Sequence, residues 1–141
     1  MNTNVKKLMS TISAFTLSVG MTISITANAS TNDTSWNSGN NYIRDKDTSS
    51  SIYIKNSSDY YFSYVTVYGR NSGGNIDYAV NSHPITGQTV NTYNVTIPAR
   101  SERAIRQFVY ECGYPLVNAI FSGSGYGWWS PDSYGTYTPA N

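Results

Sequence analysis

A few side chains in this 141-residue chain could do chemistry: the only cysteine, Cys112; the only histidine, His83; the acidic residues Glu111 and Asp132; and the adjacent Trp128 and Trp129. A cysteine acts as a nucleophile only beside a base. His83 is the one imidazole to supply it, yet it stands before Pro84 in the polar stretch 81–88, with no second histidine and no acid at ligand spacing. Such a histidine reads as a loop residue rather than a base or a metal ligand. Cys112 then reads as a small buried hydrophobe in a monomer, since one cysteine cannot close an intrachain disulfide. Glu111 and Asp132 would serve as a glycosidase pair only if the fold brought them to within about 5 to 10 Å of each other. Gly123, Gly125 and Gly127 lack the following helix and lysine of a phosphate loop, and read as hairpin and bulge glycines. The Asp45 and Asp47 pair lacks the glycine and glutamate that a calcium loop needs. These patterns predict no catalytic residue, metal ligand or cofactor, and so a protein that is not an enzyme.

The tryptophans point to binding instead. In a strand opening near Gly125, alternation places Tyr126 and Trp128 on one face and Gly125, Gly127 and Trp129 on the other. With Tyr126 and Trp128 taken as the core face, Trp129 stands beside two glycines that cannot cover it. An uncovered indole is a flat apolar surface with one donor. Trp129, with Tyr134 nearby, is therefore the expected ligand-facing patch, and Trp128 the expected structural residue.

The elements that must position these residues read as strands. Residues 52–55 alternate; 60–68 carry apolar residues on both faces; 76–80, 93–97 and 116–121 follow, separated by Asn, Ser, Gly and Pro turn residues. Residues 99–112 fit two readings. Ser101 as N-cap, apolar Ile105, Phe108, Val109 and Cys112 at helical spacing, and Gly113 as a stop describe a helix. The neighbouring strands favour an extended segment ending in a helical turn near 110–113. The expected fold is all-β, a small antiparallel β-sandwich of about seven strands over residues 51–141, with one short helix near 101–112 as the alternative. Its expected core is Ile52, Ile54, Phe62, Tyr64, Val65, Val67, Ile76, Tyr78, Val80, Tyr93, Val95, Ile97, Ile105, Val109, Val117, Phe121 and Trp128.

Upstream of the sandwich, Lys6 and Lys7, an apolar run over 8–25 with Ser and Thr interspersed, and Ala27-Asn28-Ala29 describe a secretory signal peptide occupying residues 1–29. Residues 30–50 are polar without a readable period and are expected to be a flexible lead-in. Loss of the leader takes two lysines and moves the formal net charge from +1 to −1, which excludes a nucleic-acid footprint. No apolar segment or basic tail remains to hold the mature chain to a membrane, so it is expected to be extracellular.

Val109-Tyr110-Glu111, Gly113-Tyr114 and Trp129-Ser130-Pro131-Asp132-Ser133 resemble the ending of short secreted proteins of Gram-positive bacteria that share a domain of unknown function. The richness in Tyr, Trp, Gly and Asn is also similar to the composition of lactococcin-type bacteriocins. The resemblance implies an extracellular protein and no particular chemistry. The expected function is a secreted, non-catalytic binding or surface-interaction protein whose partner is cell-wall glycan or a surface protein; the alternatives are a bacteriocin-like antimicrobial protein and a glycan-active enzyme.

Overall fold

The computed structural model describes residues 33–141; the expected signal peptide and the first residues after it lie outside that range. Among the described residues, nine strands form two antiparallel sheets: β1 Thr34–Asn37, β2 Asn40–Asp45, β3 Ile52–Asn56, β4 Ser63–Arg70, β5 Tyr78–Ala79, β6 Val95–Ile97, β7 Ser101–Ile105, β8 Leu116–Gly123 and β9 Tyr126–Ser130. The first sheet runs β1-β9-β3-β7 and the second β2-β8-β4-β5, with β6 also on β4. The fold is all-β, a small sandwich, with no helix among the described residues.

Two of these strands lie where a flexible lead-in was expected. β1 pairs with β9 and β2 with β8, so the chain crosses from one sheet to the other through the tight turn at Ser38 and Gly39. Trp36 explains why so polar a segment is ordered. Its side chain is 1% exposed and lies against Phe121, and its indole N–H reaches the carbonyls of Lys55 and Trp128, both at 3.2 Å. Burying one tryptophan contributes enough to hold a short strand whose other residues face solvent.

Residues 101–112 resolve as β7 followed by a turn. Ile105 pairs with Ile52, and beyond it the chain makes one helical turn, with the Cys112 N–H on the Phe108 carbonyl and Gly113 at φ 79°. The extended reading with a terminal turn holds; a helix over this segment does not form. Ser101, the expected N-cap, instead donates its hydroxyl to the Pro98 carbonyl, and its strand finds a full antiparallel partner in β3.

The core joins Ile52, Ile54, Val65, Val67, Val80, Val95, Ile97, Ile105, Val109, Val117 and Phe121, all expected there, to Trp36, Ala119 and Trp129. Five expected members face solvent instead: Phe62, Tyr64, Ile76, Tyr93 and Trp128; Tyr78 is half-buried. Each departure has a local cause. β4 turns Ser63, Val65 and Val67 inward, leaving Tyr64 on the outer face and Phe62 in the preceding loop. Ile76 precedes β5 in a hairpin loop that Asp77 pins to Arg70 and Asn118. Asn94 takes a left-handed conformation, φ 48°, with its N–H on the Thr66 hydroxyl, which breaks the alternation and swings Tyr93 outward.

Candidate functional site

A cleft of about 370 Å³ opens at one end of the sandwich, between the end of β2, the start of β8 and the turn that follows β9. Its walls include Ile43, Arg44, Asp45 and Asp47, with Leu116 beside Asp45 on the neighbouring strand, and Pro131, Asp132 and Tyr134 from the turn after β9. Tyr134, one of the two residues expected to meet a ligand, lines it and is 62% exposed.

The Ser130-Pro131-Asp132-Ser133 motif builds this end of the molecule. Asp132 Oδ1 accepts from Lys46 Nζ at 2.6 Å, the Thr48 hydroxyl at 2.6 Å, the Ser50 hydroxyl at 3.2 Å and the Thr48 N–H at 3.1 Å, and its Oδ2 accepts from the Asp47 N–H at 3.1 Å. Ser130 donates its hydroxyl to the Asp132 carbonyl, and the Ser133 N–H bonds the Ser51 carbonyl. One buried carboxylate thus gathers residues 46–50 into a fixed loop. Burial alone would raise the Asp132 pKa, but the bonds from Lys46, Thr48 and Asp47 outweigh it and hold the carboxyl below its ordinary value. The Lys46 ammonium is fully covered and also donates to the Ser50 carbonyl at 2.8 Å, so a charge that would be costly if isolated has two acceptors.

Trp129, the other expected ligand residue, is wholly buried, and Trp128 is 49% exposed. The face assignment is therefore corrected by one residue. Gly125 and Gly127 lie on the inner face, where a side chain has no room: a Cβ at Gly127 would collide with the Lys55 carbonyl, and one at Gly125 with Ser63 and the Trp36 ring. The glycines lack side chains because Trp36 and the β3 backbone occupy that space, and Trp129 shares their face. It packs with Phe121 and Tyr42, at centroid separations of 6.0 and 6.3 Å.

Trp129 still bears on the cleft through Arg44. The guanidinium carbon stands 5.7 Å from the Trp129 ring centroid, a cation–π arrangement that orients a planar fork of donors where Arg44 lines the cleft. The structure thus places Tyr134 at the site and Trp129 beneath it. Sequence reasoning missed Arg44, Asp45, Asp47 and Lys46, which it had placed in a lead-in; the cluster of four charges at 44–47 was the available signal.

The other chemical candidates fall into two neighbourhoods: Glu111 acts on the Lys46 that pairs with Asp132, and Cys112 and His83 adjoin through Ser82 and Phe108. The donors around Asp132 favour its ionised, accepting form. Glu111 exerts its charge on Lys46 and Cys112, and its Oε2 is buried without a hydrogen-bond partner. Cys112, expected to be buried, is partly exposed, with Sγ 3.7 Å from the Ser82 carbonyl. His83 lies in its loop, Nδ1 accepting from the N–H groups of Ile85 and Thr86 while the ring edges onto Phe108. No group of three or more His, Cys, Asp or Glu among the described residues is placed to hold a metal ion.

Compared with protein families, curated proteins and solved structures, the chain matches none.

Proposed function

We propose that this is a secreted, non-catalytic binding protein that takes a polyhydroxylated ligand, a cell-wall glycan chain, in the cleft bounded by β2, β8 and Tyr134. The observation that carries the reading is the composition of the cleft: an exposed phenol ring beside Arg44, Asp45 and Asp47. A sugar ring offers an apolar C–H face to an aromatic side chain and vicinal hydroxyls to forked donors and carboxylate acceptors. The cleft is built in advance, since Asp132 fixes the loop above it and Trp129 supports Arg44, and a preformed site avoids ordering costs on binding. The commitment of Asp132 to Lys46, Thr48 and Ser50 favours binding over hydrolysis.

Retention on purified, protease-treated cell walls tests the proposal. The protein is expected to be retained and to be released by soluble wall fragments, while Tyr134→Ala and Asp45→Asn each weaken retention about tenfold, the loss of one good polar or stacking contact. Equal retention of both variants, or retention that protease treatment of the walls abolishes, overturns it; the second result points to a surface protein as the partner.

A further inference from the structure

The end of the sandwich opposite the cleft carries a concentration of exposed aromatic side chains that the glycan reading does not use. The loop between β3 and β4 presents Tyr60, Tyr61 and Phe62 in succession, exposed by 81%, 58% and 54%. Tyr64 flanks them on the outer face of the second sheet, and Tyr126 on the outer face of the first. The pieces adjoin: the Ser57 N–H bonds the Tyr126 carbonyl at 2.8 Å, and the left-handed Gly123 sits against the Phe62 carbonyl and the Tyr64 ring, where any Cβ would clash.

This loop is rigid for a reason that does not involve its aromatic rings. Asn56, wholly buried, donates from Nδ2 to the carbonyls of Tyr61 at 2.9 Å and Ile97 at 3.1 Å, while its Oδ1 accepts from the N–H and the hydroxyl of Ser58. The Ser58 hydroxyl shares its one proton between Asn56 Oδ1 and the Tyr61 carbonyl, and the Ser58 carbonyl accepts from the Arg100 N–H. The loop therefore spends its inner polar groups on itself and turns its apolar rings outward, the reverse of what burial would produce.

We infer that Tyr60, Tyr61 and Phe62, flanked by Tyr64 and Tyr126, form a docking tip for the interfacial region of an electrically neutral, zwitterionic lipid bilayer. Three features favour lipid over sugar or protein. Tyrosine and phenylalanine are suited to the headgroup–acyl boundary, where a ring is buried and a hydroxyl stays wet. Backbone entering that region needs polar partners, and Asn56 and Ser58 supply them to the Tyr61 carbonyl on the inner side of the loop. The charges that the turns at this end carry, Asp59 and Arg100, neutralise each other at 2.8 Å, so no field selects an anionic surface. The carboxylate and the forked donor exposed at this tip, Asp59 and Arg100, are spent on each other rather than offered to vicinal hydroxyls. A tip of this size gives reversible attachment rather than insertion. It replaces the expectation, drawn from the absence of an apolar segment or basic tail, that the mature chain has no membrane contact.

The test is flotation with vesicles, using protein collected from the medium of an exporting host with its N-terminus read by mass spectrometry, so that every arm carries the same chain. Wild-type protein is expected to float with phosphatidylcholine vesicles equally at low and high salt. Tyr61→Ser/Phe62→Ser should reduce the bound fraction about tenfold or more, given the apolar area removed. Tyr60→Ser, the most exposed of the three and unable to disturb packing, should reduce it measurably at an unchanged melting temperature. In Phe62→Trp, the added indole emission should be quenched by brominated phosphatidylcholine. The inference is overturned by failure to float, by binding that requires phosphatidylglycerol and vanishes in salt, by variants that float like wild type, or by loss of wall retention in these variants with vesicle binding intact. Apart from loss of wall retention, none of these results bears on Tyr134 and Asp45, whose variants decide the fate of the glycan cleft separately.

Discussion

The indole of Trp36 lies on the phenyl ring of Phe121, centroids 4.4 Å apart and planes inclined by 16°. This contact joins the two sheets, because Trp36 belongs to β1 in the first and Phe121 to β8 in the second. Tyr42 and Trp129 edge onto the same phenyl ring, giving four aromatic side chains in one cluster. Trp36→Ala should cost about 3 to 5 kcal/mol in denaturant unfolding, the range for truncating a buried aromatic residue. A loss under about 1 kcal/mol would show that residues 33–45 are dispensable to the sandwich.

The adjacent tryptophans give a paired prediction. Trp129→Ala removes a wholly buried ring and the support under Arg44, and should cost about 3 to 5 kcal/mol. Trp128→Ala removes a half-exposed ring between Ser35 and Lys55 on the outer face of the first sheet, and should change stability by less than about 1 kcal/mol. Unfolding curves of the two variants check this directly; comparable losses would place Trp128 in the core as well.

The strands at 52–56, 116–123 and 126–130 were legible because each is a short run rich in β-branched, apolar or aromatic residues bounded by turn residues. Trp129 was misplaced because alternation says which residues share a face and not which face is inward. The deciding facts, that Trp36 fills the space over Gly125 and the β3 backbone that over Gly127, belong to partner strands some seventy to ninety residues away in sequence. β1 was missed for the same reason: a single buried tryptophan among polar residues has no period. Of the cleft, Tyr134 and the Ser-Pro-Asp-Ser turn were readable, whereas Arg44, Asp45 and Asp47 joined them only through the pairing of β2 with β8. The aromatic tip was overlooked because Phe62 and Tyr64 were assigned inward on hydrophobicity alone, and β4 begins one residue too late for Phe62 to join it.

Cys112 makes a reactivity prediction. Burial, and secondarily the charge of Glu111, raise the thiol's pKa above its ordinary value, so little thiolate exists at neutral pH. The sulfur is nonetheless partly exposed. Native protein should react with a thiol reagent more slowly than free cysteine does at pH 7, and faster as pH rises. Glu111→Gln should increase the rate at pH 7. A native rate exceeding that of free cysteine, or a dimer on a non-reducing gel that reductant removes, would contradict this.

The Asp132 carboxylate makes stability depend on acid in one direction. Its folded pKa lies below the ordinary value of 3.8, so ionised Asp132 stabilises the fold in full above that pH. The contribution is lost as pH falls through the folded value, because the protonated group no longer compensates the covered Lys46 ammonium or accepts as strongly from residues 47–50. Asp132→Asn imposes much of that loss at every pH. At neutral pH it should cost about 3 to 5 kcal/mol, the range for removing one partner of a buried ion pair. Melting temperatures of wild type and variant, followed from pH 7 downward, should stay separated by a constant gap to roughly pH 4 and then converge, the change falling on the wild-type curve. A gap that persists unchanged below pH 3 would mean that Asp132 acts through shape rather than charge. Lys46→Met distinguishes the two: with the ammonium gone, the acid-dependent step in the Asp132 comparison should shrink while the hydrogen bonds from Thr48 and Ser50 keep part of it.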